Sequence, residues 1–135
     1  MRRVLIVSPH GPSLELLRRI LEAPGLLVSA TGDTDDAFAA LTPRPPALVV
    51  VDLRRPDEDQ PLFLGLLRKR HPAMPVITLV PGRLRIFDGQ HERVVEAHGD
   101  TAEALHALLG ALKRAVHDVL AQDLLRVLRP PVGRA

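Results

Sequence analysis

Three short runs constrain this chain more than anything else in it: Val4-Leu5-Ile6-Val7, Ala47-Leu48-Val49-Val50-Val51-Asp52 and Val76-Ile77-Thr78-Leu79-Val80. Each is nearly all apolar and rich in β-branched residues. A strand with one wet face alternates polar and apolar residues. An unbroken apolar run instead suits a strand buried on both faces of a parallel sheet. Helical patterns separate the runs. Leu14, Leu17 and Leu21 recur at helical spacing after Gly11-Pro12, and proline is tolerated at the first helical position. Asp33 is a good N-cap for a helix through Ala37, Phe38 and Leu41, with Asp35 and Asp36 in the first turn, where the helix dipole favours them. Pro61 opens a third helix carrying Leu62, Phe63, Leu66 and Leu67, and His71-Pro72 ends it.

The rest of the chain fills in the order. Leu26 to Ala30 reads as a second short strand and Arg93 to Ala97 as a fifth. Between the fourth and fifth strands, Pro81 to Glu92 reads as an irregular stretch marked by Gly82 and Gly89, with room for one helical turn. Asp100-Thr101-Ala102-Glu103 matches a capping box in position and opens the longest helix, which runs to about Arg129 before Pro130-Pro131. Strands alternating with helices imply a parallel sheet covered on both faces. The right-handed crossover rule then favours an α/β, flavodoxin-like, doubly wound sheet of five parallel strands in the order 2-1-3-4-5. Its fourth helix is shortened or absent, and its C-terminal helix is long. In such sheets chemistry collects at the carboxyl ends of the central strands. Here those ends carry Ser8, Pro9, His10, Asp52, Val80 and Glu96.

Composition narrows the function classes. The chain has 135 residues, 46% of them hydrophobic, which suits one compact domain. Only 2% are aromatic, so the core is built from Leu, Val, Ile and Ala. The formal charge is +2, the arginines are scattered, and no aromatic residues interleave with them to stack on bases. No nucleic-acid partner is expected. Absence of cysteine removes disulfides, thiolate metal sites and cysteine nucleophiles. The six histidines form no HExxH pair, SPHGPS lacks the spacing of a phosphate loop, and no G-x-S-x-G elbow occurs. No apolar segment reaches membrane-spanning length, and the N-terminal run is too short for a secretory signal. These features lead to the expectation of a cytoplasmic protein with no membrane contact.

Residues 46 to 80, PALVVVDLRRPDEDQPLFLGLLRKRHPAMPVITLV, resemble the receiver domains of two-component response regulators. The resemblance covers roughly residues 3 to 120. It implies that Asp52 is the phospho-acceptor at the tip of the third strand and that Pro56 shapes the loop after it. Other family hallmarks are replaced. Where the family places two acidic Mg²⁺ ligands after its first strand, this chain has Ser8 and Pro9. The family's hydroxyl at the end of the fourth strand is Val80, unless Thr78 takes its place two residues earlier. The family's Lys-Pro pair is replaced by Glu96-Ala97, which puts a negative charge where a cation should meet the phosphoryl group. Mg²⁺ wants several carboxylate and water oxygens, and phosphoryl transfer needs its equatorial oxygens neutralised. Only Arg54 or Arg55 could stand in.

The expectation is therefore a signal-transduction module of the pseudo-receiver kind. It would not be an enzyme, would carry no cofactor, and would act through a protein partner such as a histidine kinase or an output protein. Asp52 would be a buried strand-end carboxylate satisfied by a loop amide or an arginine. Two alternatives stand beside this reading: a working phospho-receiver on Asp52 using Mg²⁺, and a flavodoxin-like small-molecule binder. Residues 1–121 are expected to form the domain and 122–135 a helical extension and tail. Leu120, Leu124, Val127 and Leu128 form an apolar stripe on that extension, which suits a homodimer. The other expectation for the extension is a break near Gln122-Asp123 that folds it back on its own domain.

Overall fold

The computed structural model describes residues 2–42, 44–97 and 102–128, without the side chains of 123 and 126–128. The elements are β1 (Arg2–Val7), α1 (Pro12–Leu21), β2 (Leu26–Thr31), α2 (Thr34–Ala39), β3 (Leu48–Asp52), α3 (Asp59–Arg70), β4 (Val76–Val80), β5 (Arg83–Phe87), β6 (Glu92–Glu96) and α4 (Ala102–Leu128). The fold is α/β with a mostly parallel sheet in the order β2-β1-β3-β4-β5-β6. The first four strands run parallel, in the arrangement their apolar runs imply.

The far edge differs from the expected five parallel strands. The strand near residues 93–97 does not pair with β4. An additional strand, β5, lies between them, antiparallel to both. Its sequence, Arg-Leu-Arg-Ile-Phe, alternates exposed and buried positions, with Leu84 and Ile86 in the core. That period of two is the mark of a strand with one covered face. Pro81-Gly82 is a tight hairpin turn, since Val80 pairs with Arg83 across it. Gly82 has φ 74°, which a side chain rarely adopts. The second turn is closed by Asp88, whose Oδ1 accepts from the amides of Gln90 and His91. The glycines that read as loop markers are therefore hairpin punctuation.

Helices cover the sheet unequally. On one face α1 and α4 pack over Val4, Ile6, Leu48, Val50, Ile77, Leu79, Leu84 and Ile86. On the other, α2 and α3 pack over Leu5, Val7, Val49, Val51 and Val76 with Phe63 and Leu67. Alternation along each strand sorts even from odd positions in β1 and β3, and this sorting decides which side chains can meet at the strand ends.

Helix α4 spans 27 residues without interruption, about 40 Å at 1.5 Å per residue. The expected break near Gln122-Asp123 does not occur. Leu108, Leu112, Ala115, Val116, Val119 and Leu120 are buried. Leu120 is thus a core residue and not part of an exposed stripe, because the helix still lies over the sheet at that point. Leu124 and Leu125 are exposed, while the side chains of Val127 and Leu128, like the cap residues Asp100 and Thr101, lie outside the described residues. Among the described residues no helix is long and apolar enough to cross a membrane.

Candidate functional site

Register brings the first two site residues together. Val7 lies opposite Val51, so the next pair along is Ser8 and Asp52, whose side chains project toward the α1/α4 face like those of Ile6 and Val50. Both are buried. The Ser8 hydroxyl donates to Asp52 Oδ2 at 3.0 Å.

The loop after β3 supplies the rest. The Arg54 amide donates to Asp52 Oδ1 at 3.1 Å, Arg54 Nε donates to the same oxygen at 2.9 Å, and a terminal guanidinium nitrogen donates to Oδ2 at 3.0 Å. This is the two-pronged arginine–carboxylate geometry that fixes orientation as well as charge. A carboxylate offers about four lone-pair directions, and each Asp52 oxygen here accepts two hydrogen bonds. Burial alone would raise the Asp52 pKa. The hydrogen bonds and charge of Arg54, with the Ser8 hydroxyl, outweigh it and hold the carboxyl below its ordinary value.

Buried polar ties support this corner. The Gln60 side-chain amide donates to the Gly32 carbonyl at 3.1 Å, and its carbonyl oxygen accepts from the Asp57 amide at 2.9 Å. Gln60 is fully buried, so the β3–α3 loop is pinned to the β2–α2 turn. A Cβ on Gly32 would lie 2.8 Å from the Ser8 carbonyl oxygen and 3.0 Å from the His10 ring, so the turn approaches the end of β1 more closely than any side chain permits. Sequence reading missed Gln60. Its one available signal is a polar residue at a core position, one place before Pro61.

The remaining residues are distributed less tightly. On β4 the residue opposite Asp52 is Leu79, fully buried and apolar. Thr78 pairs with Val51 on the alternate face, so it does not take the place of a site hydroxyl. Val80 ends β4 half-buried. Glu96 ends β6, two strands from β4, and alternation turns it away from the face on which Val95 and Ala97 pack. Pro56 is exposed in the loop after Arg55. A cleft of about 750 Å³ opens beside Asp52, with Pro9, His10, Arg54 and Arg55 among its walls and Pro81, Ala97 and Leu105 across from them. His98 lies outside the described residues.

These residues do not fit Mg²⁺. Pro9 has no side-chain donor atom, the Ser8 proton is committed to Asp52, and the carboxylate's acceptor directions are filled. Among the described residues no three Asp, Glu or His side chains converge as metal ligands.

A doubly wound sheet with a carboxylate at the tip of its middle strand resembles the scaffold of receiver domains. No family model matches the chain. It is 31% identical over 78 residues to the photosynthetic apparatus regulatory protein RegA of Cereibacter sphaeroides, covering 58% of this chain and 42% of that protein. It is 29% identical over 76 residues to the transcriptional regulator NtrC of Salmonella typhimurium, covering 56% of this chain and 16% of that protein. The chain thus spans less than half the length of either relative. The solved apo receiver domain of NtrC superposes with a TM-score of 0.59 at 21% identity, covering 90% of this chain and 95% of that one. The structure of NtrX from Brucella abortus in complex with ATP gives 0.57 at 22%, covering 100% of this chain and 31% of that one. At such identities the solved structures show the fold, and the sequence matches support the same assignment: a response-regulator receiver domain of two-component signalling.

Proposed function

We propose that this domain is a pseudo-receiver, a signalling module that keeps the receiver scaffold and works through protein contacts without Mg²⁺-dependent phosphorylation. The observation that carries this reading is the complete engagement of Asp52 by Arg54 and Ser8. To attack phosphorus, a carboxylate oxygen must present a free lone pair, and the departing charge must meet cations arranged around the phosphoryl oxygens. Here the nearest cation neutralises the nucleophile itself. The module is not an enzyme and carries no cofactor. Its partner is a protein, a kinase or an output element, met in the cytoplasm. The end of α4 beyond Ala121 extends the domain, and exposed Leu124 with Leu125 makes it a surface for pairing with a second copy.

The phospho-receiver alternative has one observation in its favour: Asp52 is held ionised at the edge of a cleft. Acetyl phosphate with Mg²⁺, followed by intact-mass measurement, separates the two. An unmodified protein is the expected result. A phosphoryl adduct that disappears in Asp52→Asn would overturn the pseudo-receiver reading.

A further inference from the structure

The cleft beside Asp52 has two unlike walls. One holds Pro9, His10 and Gly11 from the β1–α1 loop and Ser13 from the start of α1, with Arg54 and Arg55 beside them. The other is apolar: Pro81, Ala97, Leu105 and Leu108, from the β4–β5 turn, the end of β6 and α4. Leu105 is 43% exposed, in the first turn of α4 ahead of the packed stretch that begins at Leu108. About 750 Å³ falls within the roughly 300–1,000 Å³ of small-molecule sites.

Charge selects the kind of molecule. Arg54 and Asp52 neutralise each other. Arg55 is exposed and forms no ion pair among the described residues, and its guanidinium is always charged. Among the described residues no other Asp, Glu, Lys or Arg lines the cleft. The site therefore presents one surplus cation at its polar end and hydrocarbon at its other end.

We infer that this cleft binds a small amphipathic anion, with a single carboxylate or phosphonate-like head on Arg55 and an aromatic or short aliphatic body against Leu105 and Leu108. The inference rests on the pseudo-receiver reading, because a phosphoryl group on Asp52 would occupy the same space. Binding there bridges the β1–α1 loop and α4, so the ligand couples the site to the long helix. Such a molecule is an input to the module that needs no kinase.

The test uses the full chain, labelled with ¹⁵N, and two probes that share a head group. Phenylphosphonate has the apolar body and methylphosphonate lacks it. Both carry a P–C bond, so neither can pass a phosphoryl group to Asp52. Phenylphosphonate is expected to shift the amide signals of Gly11, Ser13, Arg55, Gly82 and Leu105, and to bind at least tenfold more tightly than methylphosphonate. Arg55→Ala and Leu105→Glu, both at exposed positions, should each weaken it about tenfold, while Leu62→Glu, exposed on α3 at the other face of the sheet, leaves it unchanged. Absence of binding, equal affinity for the two probes, or indifference to both cleft variants overturns the inference. If phenylphosphonate fails while acetyl phosphate leaves Asp52 unmodified, only the ligand site is lost. If acetyl phosphate labels Asp52, the pseudo-receiver reading is lost whatever the probes do.

Discussion

The parallel half of the sheet, β1 to β4, and the antiparallel half, β5 and β6, are built on different physical terms. Every residue of β3 is buried, so that strand is held by apolar contact on both faces. Strand β6 has one half-buried position and four exposed ones, and its neighbours include exposed ion pairs, Arg85 with Glu92 and Arg93 with Asp118. Such pairs contribute little in water. The first half is a frame that fixes Asp52, and the second is anchored to it by Leu84 and Ile86 of β5, while its outer strand β6 is a lightly held flap. A site can thus keep one wall immobile while the opposite wall is free to diverge.

The largest effect should come from Leu48→Ala in β3. A fully buried leucine truncated to alanine costs about 2–5 kcal/mol, read as a drop in the urea midpoint. A loss as large for Val94→Ala in β6 would erase the contrast. Next comes Arg54→Ala, which leaves the buried Asp52 carboxylate without its fork and should cost about 1–3 kcal/mol. The same variant sharpens the comparison through pH. The folded Asp52 pKa lies below its unfolded value of about 3.9. Its contribution is therefore complete above that value and is lost as pH falls through the folded value. Wild type and Arg54→Ala should differ most near neutrality and converge as the folded carboxyl is protonated; a gap that does not narrow at all in acid would detach the pair from stability.

Smaller effects belong to the antiparallel half. Gly82→Ala forces a side chain into the left-handed region at the β4–β5 turn, at about 1–2 kcal/mol. Amide exchange should quicken in β5 and β6 and stay slow in β3. Acceleration spread evenly over the sheet would show that the two halves open together. Val94→Ala should fall within about 0.5 kcal/mol of wild type, the smallest change of the set.

What could be read from the sequence follows the same division. Continuous apolar runs have one structural meaning, so β1, β3 and β4 and their order were legible. Asp52 was legible because a carboxylate ending such a run stands out, and an arginine partner could be anticipated from the adjacent Arg54 and Arg55. The β5 hairpin was hidden in plain alternation, Arg83 to Phe87, because the glycines flanking it suit a loop as well as two turns. Thr78 shows the limit of spacing arguments. Two residues along a strand keeps the face, but the starting position, Val80, was already on the face opposite Asp52. The Ser8 contact needed register between two strands 44 positions apart in sequence, which no local pattern supplies.

The inserted strand also limits how this domain could be repaired. Adjacent strands stand roughly 4.8 Å apart, so β5 sets β6 that much farther from β4, and alternation along β6 aims residue 96 at the face opposite Asp52. A lysine put back at Glu96 would point away from the Asp52 corner, and no single replacement undoes a whole strand. Restoring single side chains would therefore leave phosphoryl-transfer chemistry out of reach while β5 stays in place.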